Sequence, residues 1–149
     1  MNSRLEQARD VARELKEKFN TNDIEEIADM LVFVQEGDLV DREGMTFKVN
    51  EYPVIITDKK LSQQKKLFVL AHELGHVLLH PYKNQSHMKK YTAMSIDRDE
   101  QEANAFAFEA LFGHLTANDF EDSYTIEEFI REYEFDDEVV DLLLYTLMY

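Results

Sequence analysis

Residues 67–79 read LFVLAHELGHVLL, a run whose only polar members are His72, Glu73 and His76. A helix that is apolar on nearly every side belongs in a core. Two imidazoles and a carboxylate buried there are costly unless something compensates, and histidines at i and i+4 point the same way from adjacent turns. A bound cation is the compensation this pattern predicts. Zn²⁺ takes imidazole nitrogens at about 2.0–2.1 Å, a geometry that i, i+4 spacing can reach, and Glu73 is placed to hold an attacking water without being a ligand. Paired histidines also occur as hydrogen-bonded core residues. The context favours the metal here: Ser62 reads as the cap that opens this helix and Pro81 as its stop.

Zinc in a catalytic site needs a third protein ligand and keeps a fourth position for water. The chain has no cysteine, so that ligand must be His, Asp or Glu, and the segment DEQEANAFAFEALF supplies the acids. Asp99 and Glu100 read as first-turn carboxylates, already explained by the helix dipole. Glu102 is the first acid inside an otherwise apolar helix and is the expected third ligand. His80, one turn beyond His76, could be a fourth ligand, but four protein ligands would close the site to water, so an outer support or a cap fits better. Glu109 shares the helix face of Glu102 two turns on, about 10 Å away at 1.5 Å per residue. It either accepts the second N–H of a ligating histidine or pairs with a cation. Gly75 weakens its helix by about 1 kcal/mol relative to Ala; it marks a close approach of substrate or another backbone, or is tolerated. Tyr91, His87 and His114 are candidates for a further oxyanion donor.

The elements that must hold these groups can be read from periodicity and caps. A chain of 149 residues makes one domain, residues 1–149. A first helix is predicted over Ser3–Phe19, with Leu5, Ala8, Val11, Ala12, Leu15 and Phe19 on one stripe. A second, capped by Asn22 or Thr21, buries Ile24, Ile27, Ala28 and Leu31, after which residues 31–34 turn β-like and 37–44 form a loop. Residues 45–49 and 53–57 read as a hairpin joined by Asn50, Glu51 and Tyr52. After the helix from Ser62 to Pro81, residues 82–94 read as a loop. Asp97, with Glu100 at the third position, is the expected cap of a helix through Phe112 that Gly113 ends. Thr125 with Glu128 opens the next helix, and Asp136 caps the last. The fold class is α+β: mainly helical, with a small β-sheet beside the His72–His76 helix.

Charge is uneven. Residues 1–96 hold 15 acids and 14 bases, whereas residues 97–149 hold 16 acids and 2 bases. Such a surface repels a phosphate backbone, so direct nucleic-acid binding is disfavoured; the acidic, helical part from about residue 97 is a solvated face or a dock for a basic partner. Hydrophobic residues make up 44 %, enough for a core and against disorder throughout. No disulfide is possible, and neither a signal-peptide stretch nor a transmembrane run is evident, which predicts a soluble cytoplasmic protein without membrane contact.

HELGH followed, 26 residues after its second histidine, by EANAFA resembles the ImmA/IrrE metallo-endopeptidases over about residues 24–112. The resemblance implies a zincin-like fold with zinc held by His72, His76 and Glu102, and Glu73 as catalytic base. It also implies a protein substrate, a helix-turn-helix transcriptional repressor of a prophage or mobile element. Two departures are Gly113, where relatives often have Pro, and the acidic tail, which matches no fixed family pattern. The alternative is a zinc-stabilised binding protein that sequesters a basic regulator through its acidic third without cutting it.

Overall fold

The computed structural model describes residues 3–81 and 93–148, with backbone alone for 93–96. In chain order the elements are α1 (Ser3–Phe19), α2 (Ile24–Leu31), β1 (Phe33–Gly37), β2 (Gly44–Val49), β3 (Tyr52–Asp58), α3 (Gln63–Leu79), α4 (Ala93–Phe112), α5 (Ile126–Tyr133) and α6 (Asp137–Met148). This is the mainly helical α+β architecture that the pattern predicts. No described helix is long and apolar enough to cross a membrane.

Local chemistry sets most boundaries. Ser62 accepts from the Lys65 N–H, Thr125 from Glu128 and Asp136 from Val139, so α3, α5 and α6 open at the expected caps. At α2 the cap is Asp23, which accepts from the Glu25 and Glu26 N–H groups, and not Asn22 or Thr21. Thr21 Oγ1 accepts from Asp23 N instead, leaving the carboxylate nearest the first turn. The start of α4 also differs. It begins at Ala93 and not after Asp97, because residues 93–96 contain no helix breaker and the cap-like spacing of Asp97 and Glu100 falls inside a helix already under way. Of the expected loop 82–94, residues 82–92 lie outside the described residues.

The sheet has the order β1-β3-β2, β1 parallel and β2 antiparallel to β3. The hairpin turn is two residues, not three, since Val49 pairs with Tyr52. Asn50 and Glu51 both have positive φ, 50° and 69°, which is the mirror-image turn that matches strand twist. Pro53 pairs with Lys48 just before Val54 begins the ladder with β1, so its missing N–H faces no strand.

What positions the site is the contact between α3 and α4. A Cβ on Gly75 would lie 3.2 Å from Ala103 Cα and 3.1 Å from the Phe106 ring, so the missing side chain lets the α4 backbone come close to α3. α1 packs along another face of α4. There Glu109, buried, pairs with Arg9 at 2.8 Å and Arg13 at 3.1 Å, and the Lys16 ammonium donates to its backbone carbonyl at 3.0 Å. Of the two roles open to Glu109, cation pairing is the one realised, and its cations come from α1.

Candidate metal centre

α3 brings His72 and His76 onto one side, where their Nε2 atoms are 3.2 Å apart. Facing them from α4 is Glu100, with Oε2 2.9 Å from His72 Nε2 and Oε1 2.9 Å from His76 Nε2. Ligand atoms about 2.0–2.1 Å from a tetrahedral zinc stand about 3.3 Å from one another, so the two imidazole nitrogens already have the spacing of a shared ion. Two imidazoles and one carboxylate also make a donor set that zinc accepts with a position left open. The residues present therefore fit the metal.

The outer nitrogens are held as well. His72 Nδ1 donates to Asn104 Oδ1 at 2.7 Å, and His76 Nδ1 lies 3.3 Å from His80 Nδ1. His80 is the C-cap of α3, its backbone N–H bonded to the His76 carbonyl. Its Nε2 reaches Glu102 Oε2 at 2.9 Å and Asp99 Oδ1 at 3.3 Å. An outer role, not ligation beside His76, is thus where His80 sits.

The third carboxylate is where expectation and geometry part. Glu102 was expected beside His72 and His76; it turns instead to His80 and to Arg4, whose Nη1 is 3.2 Å from Glu102 Oε1. Helical phase is the reason. Successive residues turn by about 100°, so Glu100 and Glu102 differ by about 200°, while Asn104 comes within about 40° of Glu100. Because α4 starts at Ala93, Glu100 is well inside the helix rather than in its first turn. Its position four residues before Asn104 on one face is the signal that could have found both.

Burial and charge act against each other here. Desolvation disfavours protonated His72, but Glu100 and Glu73 outweigh it and its pKa is raised. For His76 desolvation prevails, helped by its histidine neighbours, and the pKa is lowered. Burial pushes Glu100 upward, yet the hydrogen bonds and charges of His72 and His76 hold it far below the usual carboxylate range. An anion stabilised this strongly by two imidazoles marks a place where positive charge is favoured.

Glu73 is buried, 4 % exposed, at the wall of a cleft of about 580 Å³ that also reaches His72, Glu100 and Asn104. Gly44, first residue of the edge strand β2, lies against it: a Cβ there would sit 3.2 Å from Glu73 Oε1 and 2.6 Å from Val69 Cγ1. Of the candidate oxyanion donors, His87 and Tyr91 are outside the described residues. His114 is exposed beyond the far end of α4 at Phe112, an end that is itself about 18 Å along the axis from Glu100 at 1.5 Å per residue.

Residues 25–139 match the model of peptidase family M78, described as the IrrE N-terminal-like domain. The chain belongs to that family. It is also 38 % identical over 82 residues to "Uncharacterized immunity region protein 2" of Bacillus phage phi105. That match takes in 54 % of this chain and 51 % of the phage protein, so the chain spans about half the length of this curated relative. The M78 match covers β1 to β3, α3 and α4 in full, and hence every side chain of the cluster. Its peptidase character agrees with a group of histidines and a carboxylate that could hold a metal ion.

Proposed function

We propose that this M78 chain is a zinc-dependent endopeptidase in which His72, His76 and Glu100 hold the ion and Glu73 is the general base. The single observation that carries the reading is the convergence of His72 Nε2, His76 Nε2 and the Glu100 carboxylate within 3.2 Å of one another. Zinc held there supplies Lewis acidity, acidifying water to a pKa of about 7 and drawing charge from a carbonyl oxygen.

The chain's own groups do the rest. Glu73, one residue from His72, takes the proton from the attacking water and returns it to the leaving amine. Asn104 and His80 hold the outer Nδ1 atoms of the two imidazoles, so each Nε2 faces Glu100. Gly44 keeps the Glu73 wall free of a side chain. The scissile peptide enters beside β2, where Asp41 and Glu43 are paired with Arg42 and Lys65 and the net negative charge of the cleft comes from Asp97, Asp136 and Glu138. Electrostatic complementarity then favours a basic segment, and the immunity-region relative supports a helix-turn-helix repressor of a prophage or mobile element as the substrate. The protein acts on that repressor in the cytoplasm, where its genes are controlled.

The test is metal analysis of the purified protein, followed by incubation with the regulator encoded beside it and mass measurement of fragments. One cleavage lost in Glu73→Gln, with zinc retained, is the expected result; uncut regulator at full zinc occupancy refutes proteolysis. The acid rim also favours a second reading, sequestration of a basic regulator without cleavage. Relief of repression by Glu73→Gln equal to that of the parent would select it.

A further inference from the structure

The sheet is apolar on both faces, and α3 covers one of them. Alternation along a strand sends successive side chains to opposite sides. Toward α3 go Ile55, part of the core cluster, and Val34, which packs against it. Their sequence neighbours go the other way. Phe33, Val54 and Phe47 are direct partners across β1, β3 and β2, and Val49 and Tyr52 form the next row. Val54 is 8 % exposed yet stands outside the core cluster, flanked instead by Phe33 and Phe47. Phe33, Val49 and Tyr52 are 51, 52 and 53 % exposed. Ile56, paired with Met45, continues the patch toward Gly44. None of these seven side chains is charged. A sheet face open to water ordinarily alternates to polar residues, and contiguous apolar surface of this kind marks contact with a partner.

We infer that this open face is a docking surface for the apolar side of a helix in the protein substrate, separate from the cleft where the substrate chain is cut. The inference rests on the reading that a protein is cut here, and it names how the folded part of that protein is held. Two observations select the occupant. Patch and cleft share β2: Gly44 lies against Glu73, and Met45 is the next residue. A substrate whose chain enters beside β2 therefore meets this face with its adjoining folded part. Size is the second. Three strands about 4.8 Å apart, with six residues of about 3.3 Å each in β2, make a face of about 14 by 20 Å. That is well short of the roughly 800 Å² per partner that a stable dimer buries. A three-turn helix, about 10 Å wide and about 16 Å long, matches it. The cleft then selects by charge and the sheet face by apolar area, two independent properties of one partner.

The test uses the full chain, zinc-loaded and carrying Glu73→Gln so that nothing is cut, with the intact regulator encoded beside it as probe and titration calorimetry as readout. Val49→Glu together with Tyr52→Lys charges the face while keeping an opposite-charge pair across the hairpin. This variant is expected to weaken binding at least about tenfold, the loss of one anchor residue, with zinc content and thermal unfolding unchanged. Phe33→Lys, on the far strand, gives an independent second measure. Undiminished affinity in both folded variants, or no binding by the unaltered face, overturns the docking surface. Sedimentation that shows a dimer for the parent and a monomer for the charged variant overturns it as well, in favour of a second copy of this chain. The two readings fail separately. A regulator held through this face but never cut by the parent defeats proteolysis and keeps the dock; cutting by the charged variant at the parent's KM defeats the dock and keeps the protease.

Discussion

Two clusters of the same chemistry sit on either side of the His76 ring. The inner one joins His72 and His76 to Glu100; the outer one joins His80 to Asp99 and Glu102. Their acids alternate along a single helix, and both clusters could hold an ion by residue type alone. What separates them is the company each carboxylate keeps. Glu100 faces two imidazoles and the cleft, whereas Glu102 faces one imidazole and an arginine from α1. An arginine beside a carboxylate supplies the positive charge that a metal would otherwise bring. Glu109, on the same face as Glu102, is likewise answered by Arg9 and Arg13. One face of α4 therefore brings Glu100 to His72 and His76, and another docks α1.

Substitutions at the two carboxylates should separate the clusters most sharply. Glu100→Gln is expected to weaken zinc by well over about 100-fold, beyond the range for outer partners, and to remove peptidase activity. Equal losses from Glu100→Gln and Glu102→Gln in chelator competition would erase the distinction. Next comes Glu73→Gln, which should lower kcat by about 10²–10⁴-fold, the usual share of a general base, with zinc content unchanged by metal analysis.

The docking face answers to stability, not metal. Glu109→Gln leaves two arginines facing a neutral amide and should destabilise the fold by roughly 3 kcal/mol in urea titration, since breaking a buried pair is more harmful than replacing it. Zinc affinity of the folded variant should stay at the parent value; a loss comparable to that of Glu100→Gln would mean that α1 docking and the site are one unit.

The smallest effect lies at the cleft mouth. Burial, partly offset by a hydrogen bond with Asn104 and reinforced by the charges of Asp136 and Glu100, raises the pKa of Glu138. A carboxylate raised on folding lowers stability above its folded pKa, and that penalty disappears below its unfolded value, about 4.5. Glu138→Gln should therefore stabilise the protein at pH 7, by less than about 0.5 kcal/mol after solvent screening, with the gain vanishing as pH falls below about 4.5. A gain that persists at pH 3 would argue against a charge effect.

Much of this arrangement was legible in the chain because it is local. The caps Ser62, Thr125 and Asp136 are satisfied within three residues, and the apolar run around His72 and His76 marks a core helix by composition. Gly75 announced a close approach, though not that Ala103 would make it. What stayed hidden depended on phase or on distant partners. A start of α4 placed five residues late made Glu100 read as a first-turn acid and left Glu102 as the expected ligand. The parallel pairing of β1 with β3 joins segments about twenty residues apart, which no local pattern specifies. Arg4 belongs to a helix nearly a hundred residues from Glu102, and nothing in α1 by itself says which acid it meets.

Diffraction from zinc-loaded crystals, with anomalous data on both sides of the zinc edge, tests the central claim most directly. The account predicts one strong anomalous peak bonded to His72 Nε2, His76 Nε2 and the Glu100 carboxylate at about 2.0–2.2 Å, with Glu102 still paired to Arg4 and His80. A peak bonded to Glu102 in place of Glu100, or seated between His80 and Asp99, would contradict it.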